Sequence, residues 1–300
     1  MATSLTHTYV YKGEESKSYL AKALTGGETL SIDGININEK VKYQWRPRIM
    51  STGNLIASGG TGAFDFSASN AITITGQLFE PKKWKVNIEI PTNEFYDMPD
   101  SATMAAGQHN EDVPAEFQKA LTENVVAKVA QEIELAIWSG KTSIGLTGII
   151  ASAHGSVLSA ATPTTITASN VVAELYKGKN KLPAGVRKKG NKNLVYAVSY
   201  EIADFYRQAL SAQGNNTSQP DQALTIHGVE LVACAGLSAN RYFLFERANL
   251  GVATDLESDF NEVKVIDMRE TTMDDKFRFG MKGTLDVKFI QPTEAVYYNG

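Results

Sequence analysis

A chain of 300 residues with 43% apolar and 21% charged side chains suffices for one large domain or two interleaved ones, and this balance excludes a disordered or low-complexity chain. The 29 Lys and Arg against 33 Asp and Glu give a net charge of −4, so no overall basic field draws nucleic acid and any basic function must be local. A single cysteine, Cys234, excludes an intrachain disulfide, and His7, His109, His154 and His227 lack metal-site spacing, so neither a metal nor another cofactor is expected.

The first residues hold no charged stretch leading into an apolar run, and no segment reaches the ~18 apolar residues that span a bilayer, which implies a soluble chain made in the cytoplasm with no membrane partner. Residues 1–40 mix Gly, Ser and Thr with short apolar touches and no sustained period, the pattern of an extended arm ordered by neighbours. Val41, Tyr43 and Trp45 then alternate with polar residues, as do Trp84, Val86, Ile88 and Ile90, predicting two strands that flank residues 47–81. That interval carries a Gly-rich tip, with Gly53, Gly59, Gly60 and Gly62, and a strand-like stretch at 71–75. A connection this long is uncommon unless it binds something or pairs with itself, so it reads as a projecting two-stranded hairpin that finds its partner on a neighbouring chain.

A long helix is predicted over 114–139, with Asp112 as N-cap, Pro114 in the first turn and Gly140 at the left-handed stop. Its apolar residues recur at i+4: Phe117, Leu121, Val125, Val129, Ile133 and Ile137. Each such step overshoots a turn by about 40°, so the stripe drifts roughly 200° and its two ends must bury against different things. A second helix is expected over 169–177, a buried strand over 194–198, an amphipathic helix over 199–212 with Ile202, Phe205, Tyr206, Ala209 and Leu210 on one face, and short strands near 229–232, 242–245 and 250–253. The last forty residues alternate Val263/Val265, Phe277/Phe279/Met281 and Leu285/Val287/Phe289 against Lys264, Lys276, Arg278, Lys282, Asp286 and Lys288, the signature of half-buried antiparallel strands.

Motifs that hint at chemistry have plainer readings. Gly140-Lys141-Thr142 lacks the earlier glycine of a phosphate loop, since position 135 is Leu, and it ends a helix instead of starting one. His154-Gly155-Ser156 lacks a nucleophile elbow and reads as surface loop. Asp255, Glu257, Asp259 and Asn261 lack the central Gly and terminal Glu of a calcium loop and read as a solvated strand entry. No catalytic constellation is found, and an enzyme is not expected.

The order of elements, together with local phrases at 138–150, 194–210, 228–237, 242–251 and the strand of 282–290 leading into Pro292-Thr293-Glu294-Ala295, resembles the Hong Kong 97-type fold of tailed-phage major capsid proteins and encapsulins. The resemblance covers the chain from about residue 40. It implies an α+β fold with an N-terminal arm (1–40), an extended hairpin loop (41–90), a peripheral domain with a spine helix (91–145, completed by 256–300) and an inserted α/β axial domain (146–255). It further implies a subunit that assembles with itself, as hexamers and pentamers, into an icosahedral shell, in the host cytoplasm, around the double-stranded DNA of a phage. Portal, scaffolding and decoration proteins would be its other partners; an encapsulin-type compartment holding cargo enzymes is the alternative. The charge-rich helical segment that begins some members is not seen ahead of the arm, which implies separate scaffolding or none.

Lys177, Lys179, Lys181, Arg187, Lys188, Lys189 and Lys192 form a basic run without an acidic residue, and Pro183, Gly185 and Gly190 mark it as loop. Such a loop meets packaged DNA through phosphates, pairs with acidic residues of a neighbouring subunit around a ring axis, or is simply solvated. It has no interleaved aromatics for base stacking.

Overall fold

The computed structural model describes residues 8–11, 22–24, 26–52, 72–91, 115–153, 158–159, 163–212, 223–255, 262–268, 272 and 274–300. In chain order, strands β1 (Thr8–Tyr11), β2 (Asn36–Asn38), β3 (Ile49–Thr52), β4 (Ile72–Thr75) and β5 (Lys82–Pro91) precede helices α1 (Ala115–Ser139) and α2 (Ile149–Ala153). Strand β6 (Leu158–Ser159), helices α3 (Val171–Lys181) and α4 (Ala184–Lys188), strand β7 (Leu194–Val198) and helix α5 (Tyr200–Ala212) follow. Then come β8 (Leu224–Ile226), β9 (Val229–Ala233), β10 (Arg241–Glu246), β11 (Leu250–Ala253), β12 (Glu262–Asp267), β13 (Lys276–Phe289) and β14 (Val296–Asn299).

The alternation of the last forty residues builds the frame. Strand β13 pairs antiparallel with β12, β5 and β11, while β1 extends the sheet beyond β12 and β2 beyond β11. Its odd-numbered apolar residues from Phe277 to Phe289 are buried, with Val263 and Val265 of β12 beside them, and α1 crosses this face. Past Lys282 the other side of β13 is covered too: the Thr284 hydroxyl accepts from the Asp255 amide at 2.9 Å, and the Asp286 carboxylate accepts from the Glu80 amide at 2.7 Å.

The second sheet runs β6-β14-β10-β7-β9-β8. Its central strands are covered on both faces, which is why they read as continuous apolar runs instead of alternating ones. Leu194, Tyr196, Val198, Tyr242, Leu244, Val296 and Tyr298 face α3 and α5, whereas Val195, Ala197, Phe243, Phe245 and Tyr297 join the core around α1 and the long sheet. The drift of the α1 stripe has the same cause. Val125, Val129 and Ile133 line a groove with Trp84, Val86 and Leu285 of the long sheet, while Trp138, one turn beyond Glu134, lies 5.1 Å from the ring of Phe243 in the second sheet.

Four expectations change. Residues 22–38 are not a free arm: Ala23, Leu24, Leu30 and Ile32 are buried in the chain's own core and β2 lies parallel to β11. The alternation at 41–46 makes no strand, because Val41 is pinned to Thr254 and Trp45 to Phe79 and no single partner strand runs alongside both. Residues 82–91, expected to flank the hairpin within the loop, pair along their whole length with β13. The two ends of the inserted unit also exchange: β11 belongs to the long-strand sheet, and the terminal β14 inserts between β6 and β10 of the other. Alternation marks a strand but not its partner, and both exchanges rest on partners distant in sequence.

Candidate functional site

Strands β3 and β4 form a two-stranded sheet apart from the two others. Their register sets Met50 opposite Ile74 and Thr52 opposite Ile72, so Met50, Ile72 and Ile74 share a face. These three are 67%, 57% and 62% exposed, an apolar face that the described residues of its own subunit leave uncovered. The expected tip residues Gly53, Gly59, Gly60 and Gly62 lie outside the described residues.

The basic run is helical, contrary to the loop expected for it. Lys177, Lys179 and Lys181 ride on α3, whose last turn places Lys179 and Lys181 at the negative end of the helix dipole. Gly178, which reads as a breaker, is instead where the helix needs no side chain: a Cβ there would stand 2.6 Å from the Tyr242 hydroxyl. Arg187 and Lys188 end α4, and Lys192 sits in a single 3-10 turn before β7. Two of the seven are engaged within the chain. Lys177 pairs with Glu174 at 2.7 Å, and Lys189 with Glu246 at 2.7 Å and Glu294 at 3.5 Å. The Glu246 bond, with Glu294 behind it, raises the Lys189 ammonium above its ordinary pKa. Lys181, Arg187, Lys188 and Lys192 remain exposed.

On the spine helix Val125, Val129, Ile133 and Ile137 are buried, whereas Phe117 and Leu121 belong to the part whose side chains are not described. Gly140 ends the helix with φ +79° and donates its amide to the Ala136 carbonyl at 2.9 Å, the arrangement of a C-cap rather than of a phosphate cradle. Asp112 and the stretch 154–156 lie outside the described residues, as do Glu257, Asp259 and Asn261; Asp255 is buried.

Four carboxylates are buried among the described residues: Asp255 and Asp286, which the sequence placed on solvated or polar positions, and Glu134 and Glu174, which it did not single out. Glu134 accepts from the Thr29 amide at 3.1 Å, from the Thr29 hydroxyl, and from Trp138 Nε1 at 3.1 Å; that indole also donates to Thr29 Oγ1 at 2.7 Å. The cluster fastens residues 28–29 to the spine helix, and Tyr200 adds a second tie by donating to Glu28 at 2.6 Å. Burial is the largest influence on Glu134 and pushes its pKa up against the Thr29 and Trp138 donors. Burial likewise pushes the neighbouring Cys234 thiol up, which leaves it unreactive. Glu174 has burial as its largest influence too, but bonds from Lys177, Tyr298 and Thr164 outweigh it and hold the carboxyl low. Its partner Tyr298 donates at 2.6 Å and is pushed up to about 12. The available signal was position: Glu134 lies next to Ile133 in the apolar stripe, and Glu174 shares the face of Val171, Leu175 and Gly178.

No protein-family model matches the chain, and no curated protein matches it in sequence. Solved structures do match. A chain from the capsid of an empty GTA particle is 12% identical with a TM-score of 0.60, over 99% of this chain and 94% of that one. A chain of the satellite phage P4 procapsid, which includes the size determination protein, is 12% identical with a TM-score of 0.57, over 95% and 98% of the two chains. One from Mycobacterium phage Adephagia is 12% identical with a TM-score of 0.58, over 97% and 95%. Such identities speak for fold alone, and the chain has the α+β fold of tailed-phage capsid proteins.

Proposed function

We propose that this chain is the major capsid subunit of a tailed phage, a structural protein that assembles with copies of itself, as hexamers and pentamers, into a closed icosahedral shell around double-stranded DNA. The observation that carries this reading is the end-to-end match to a GTA capsid chain, over 99% of one and 94% of the other. The uncovered apolar face of Met50, Ile72 and Ile74 supports it, since an isolated two-stranded sheet is marginal in water and a neighbouring copy would cover it. Identical subunits joined head to tail by such contacts close into rings. The exposed cations Lys181, Arg187, Lys188 and Lys192 would face acidic groups of the next subunit around a ring axis. Portal, scaffolding or decoration proteins would join in the host cytoplasm, where the shell would form.

Expression of the chain followed by electron microscopy and sedimentation tests the proposal. Closed particles of uniform diameter are expected, filled with DNA when recovered from a phage infection. A folded protein that stays monomeric at every concentration would overturn it, and closed particles that enclose protein cargo and no DNA would assign the chain to a compartment of the encapsulin type.

A further inference from the structure

The cleft between the spine helix and the long sheet has no role in the subunit contacts proposed above. Among the described residues the ten-residue strand β5 pairs with β13 alone, which leaves its other edge without a neighbouring strand. A groove of about 610 Å³ runs along that edge, bordered by the five consecutive residues from Trp84 to Ile88. Successive side chains of a strand point to opposite faces, so such a run borders one groove only where the groove meets the backbone edge. Helix α1 is the facing wall, with Val125, Val129 and Ile133, and Ile144 of the turn after the helix borders the groove as well. Val86, Ile88 and Ile144 are only half-buried, so apolar surface is left for an occupant. The indole Nε1–H of Trp84 is buried without a hydrogen-bond partner, a state that costs about 1–3 kcal/mol for a polar group left unpaired. The charged border is cationic: Lys85, Lys128 and Lys141 stand there against Glu132 alone. Glu132 is already held by Lys141 at 2.6 Å, and that bond, with Lys128 behind it, keeps its carboxyl below the usual range.

We propose that this groove takes an extended acidic segment of another protein, which adds as a strand to the unpaired edge of β5 and lays every second, apolar side chain against α1. Main-chain hydrogen bonds along an edge give such a contact its affinity, and pockets for alternate side chains give it selectivity. Val86 and Ile88 stand roughly 7 Å apart on one face, the spacing of alternate side chains on an incoming strand. An acceptor carried by that strand would satisfy the Trp84 indole. The excess of cations at the border calls for carboxylates among the polar side chains of the segment. The hairpin of a second copy fits less well. Arg48 lies two residues before Met50 and continues the apolar face of β3 and β4, so it would bring a further cation to Lys85 and Lys128.

The test is a titration of the full-length unassembled subunit with a fluorescein-labelled peptide that alternates glutamate with valine and isoleucine, read by anisotropy. A control peptide carries lysine in place of glutamate. The acidic peptide should bind saturably and at least about tenfold more tightly than the control at about 50 mM salt, and hydrogen exchange should slow at the β5 amides as the strand is added. The K85E/K128E variant, altered at two exposed positions, should lose at least about tenfold in affinity for the acidic peptide and gain affinity for the control. The V86S/I88S variant should weaken both peptides about tenfold without changing the preference between them, through lost apolar contact. Should that variant unfold, the charge variant decides by itself. The proposal fails if the acidic peptide does not bind, if folded K85E/K128E binds it as well as the wild type, or if the β5 amides exchange unchanged in the saturated complex. It fails equally if a synthetic peptide spanning residues 46–77 binds more tightly than the acidic one and loses that binding in V86S/I88S, since the occupant would then be a second copy. The groove belongs to the single subunit and shell formation is read separately by microscopy, so failure of the capsid reading and failure of this inference are told apart.

Discussion

Glu134 shows what one side chain decides. It is 1% exposed, and it receives three donors from Thr29 and Trp138 while Glu28, Cys234 and Tyr200 stand near it. Its folded pKa lies above the ordinary 4.5, chiefly through burial. The folded state therefore holds this proton to higher pH than the unfolded chain, so its contribution is fully present below the unfolded pKa and is lost as pH rises through the folded one. Denaturant midpoints of the wild type should thus decline on going from acid toward neutral pH relative to Glu134→Gln, which keeps an acceptor for the Thr29 amide and cannot titrate. If the two profiles run parallel, burial does not govern this carboxyl. Glu134→Ala should cost about 1–3 kcal/mol across the range, because it leaves the Thr29 amide and hydroxyl short of an acceptor, while the Trp138 indole keeps its bond to Thr29 Oγ1.

At the scale of elements, the spine helix and the long sheet depend on each other. Val129→Asp would bury a carboxylate among Val125, Ile133 and Trp84 where the helix crosses the groove, at a cost of about 3–5 kcal/mol, and should prevent folding outright. Soluble mutant protein with a native circular dichroism spectrum would contradict this packing. Gly283 of β13 pairs with Trp84 of β5, and a Cβ there would lie 2.5 Å from Trp84 Cζ2, so the indole is laid across the glycine. Gly283→Ala should lower stability by about 1–3 kcal/mol through overpacking, read as a lower melting temperature. An unchanged melting temperature would mean that Trp84 has room to move.

At the scale of the whole molecule, the separation of folding from assembly is what can be tested. Exchange of Met50, Ile72 and Ile74 together for Thr should leave a folded, soluble subunit, because their exposed side chains contribute little to its own core, while closed particles should vanish. Sedimentation against circular dichroism decides this, and normal particle yield would remove the hairpin from assembly. Charge reversal of Arg187, Lys188 and Lys192 to Glu should block assembly before any DNA is involved. Lys189 is left out because it serves Glu246 and Glu294 within the chain. Shells that form normally but lose DNA would move the basic helices to the genome side.

What the sequence by itself determined was local: the burial of Val263, Val265 and the odd residues of 277–289, the apolar stripe of the spine helix, the stop at Gly140, and the order of elements from which the capsid resemblance was drawn. These follow from short periods and single-residue geometry, which need no knowledge of partners. Tertiary structure alone decided that residues 22–38 pack home, that β11 and β14 exchange sheets, and that the basic run is helical with Lys177 and Lys189 paired. Each of these depends on which strand or side chain lies alongside another far away in the chain, and the period of a strand carries its faces but not its neighbours. The helix around Gly178 makes the same point on a smaller scale: read alone, glycine argues against helix, and only the Tyr242 hydroxyl packed against it shows why it is there.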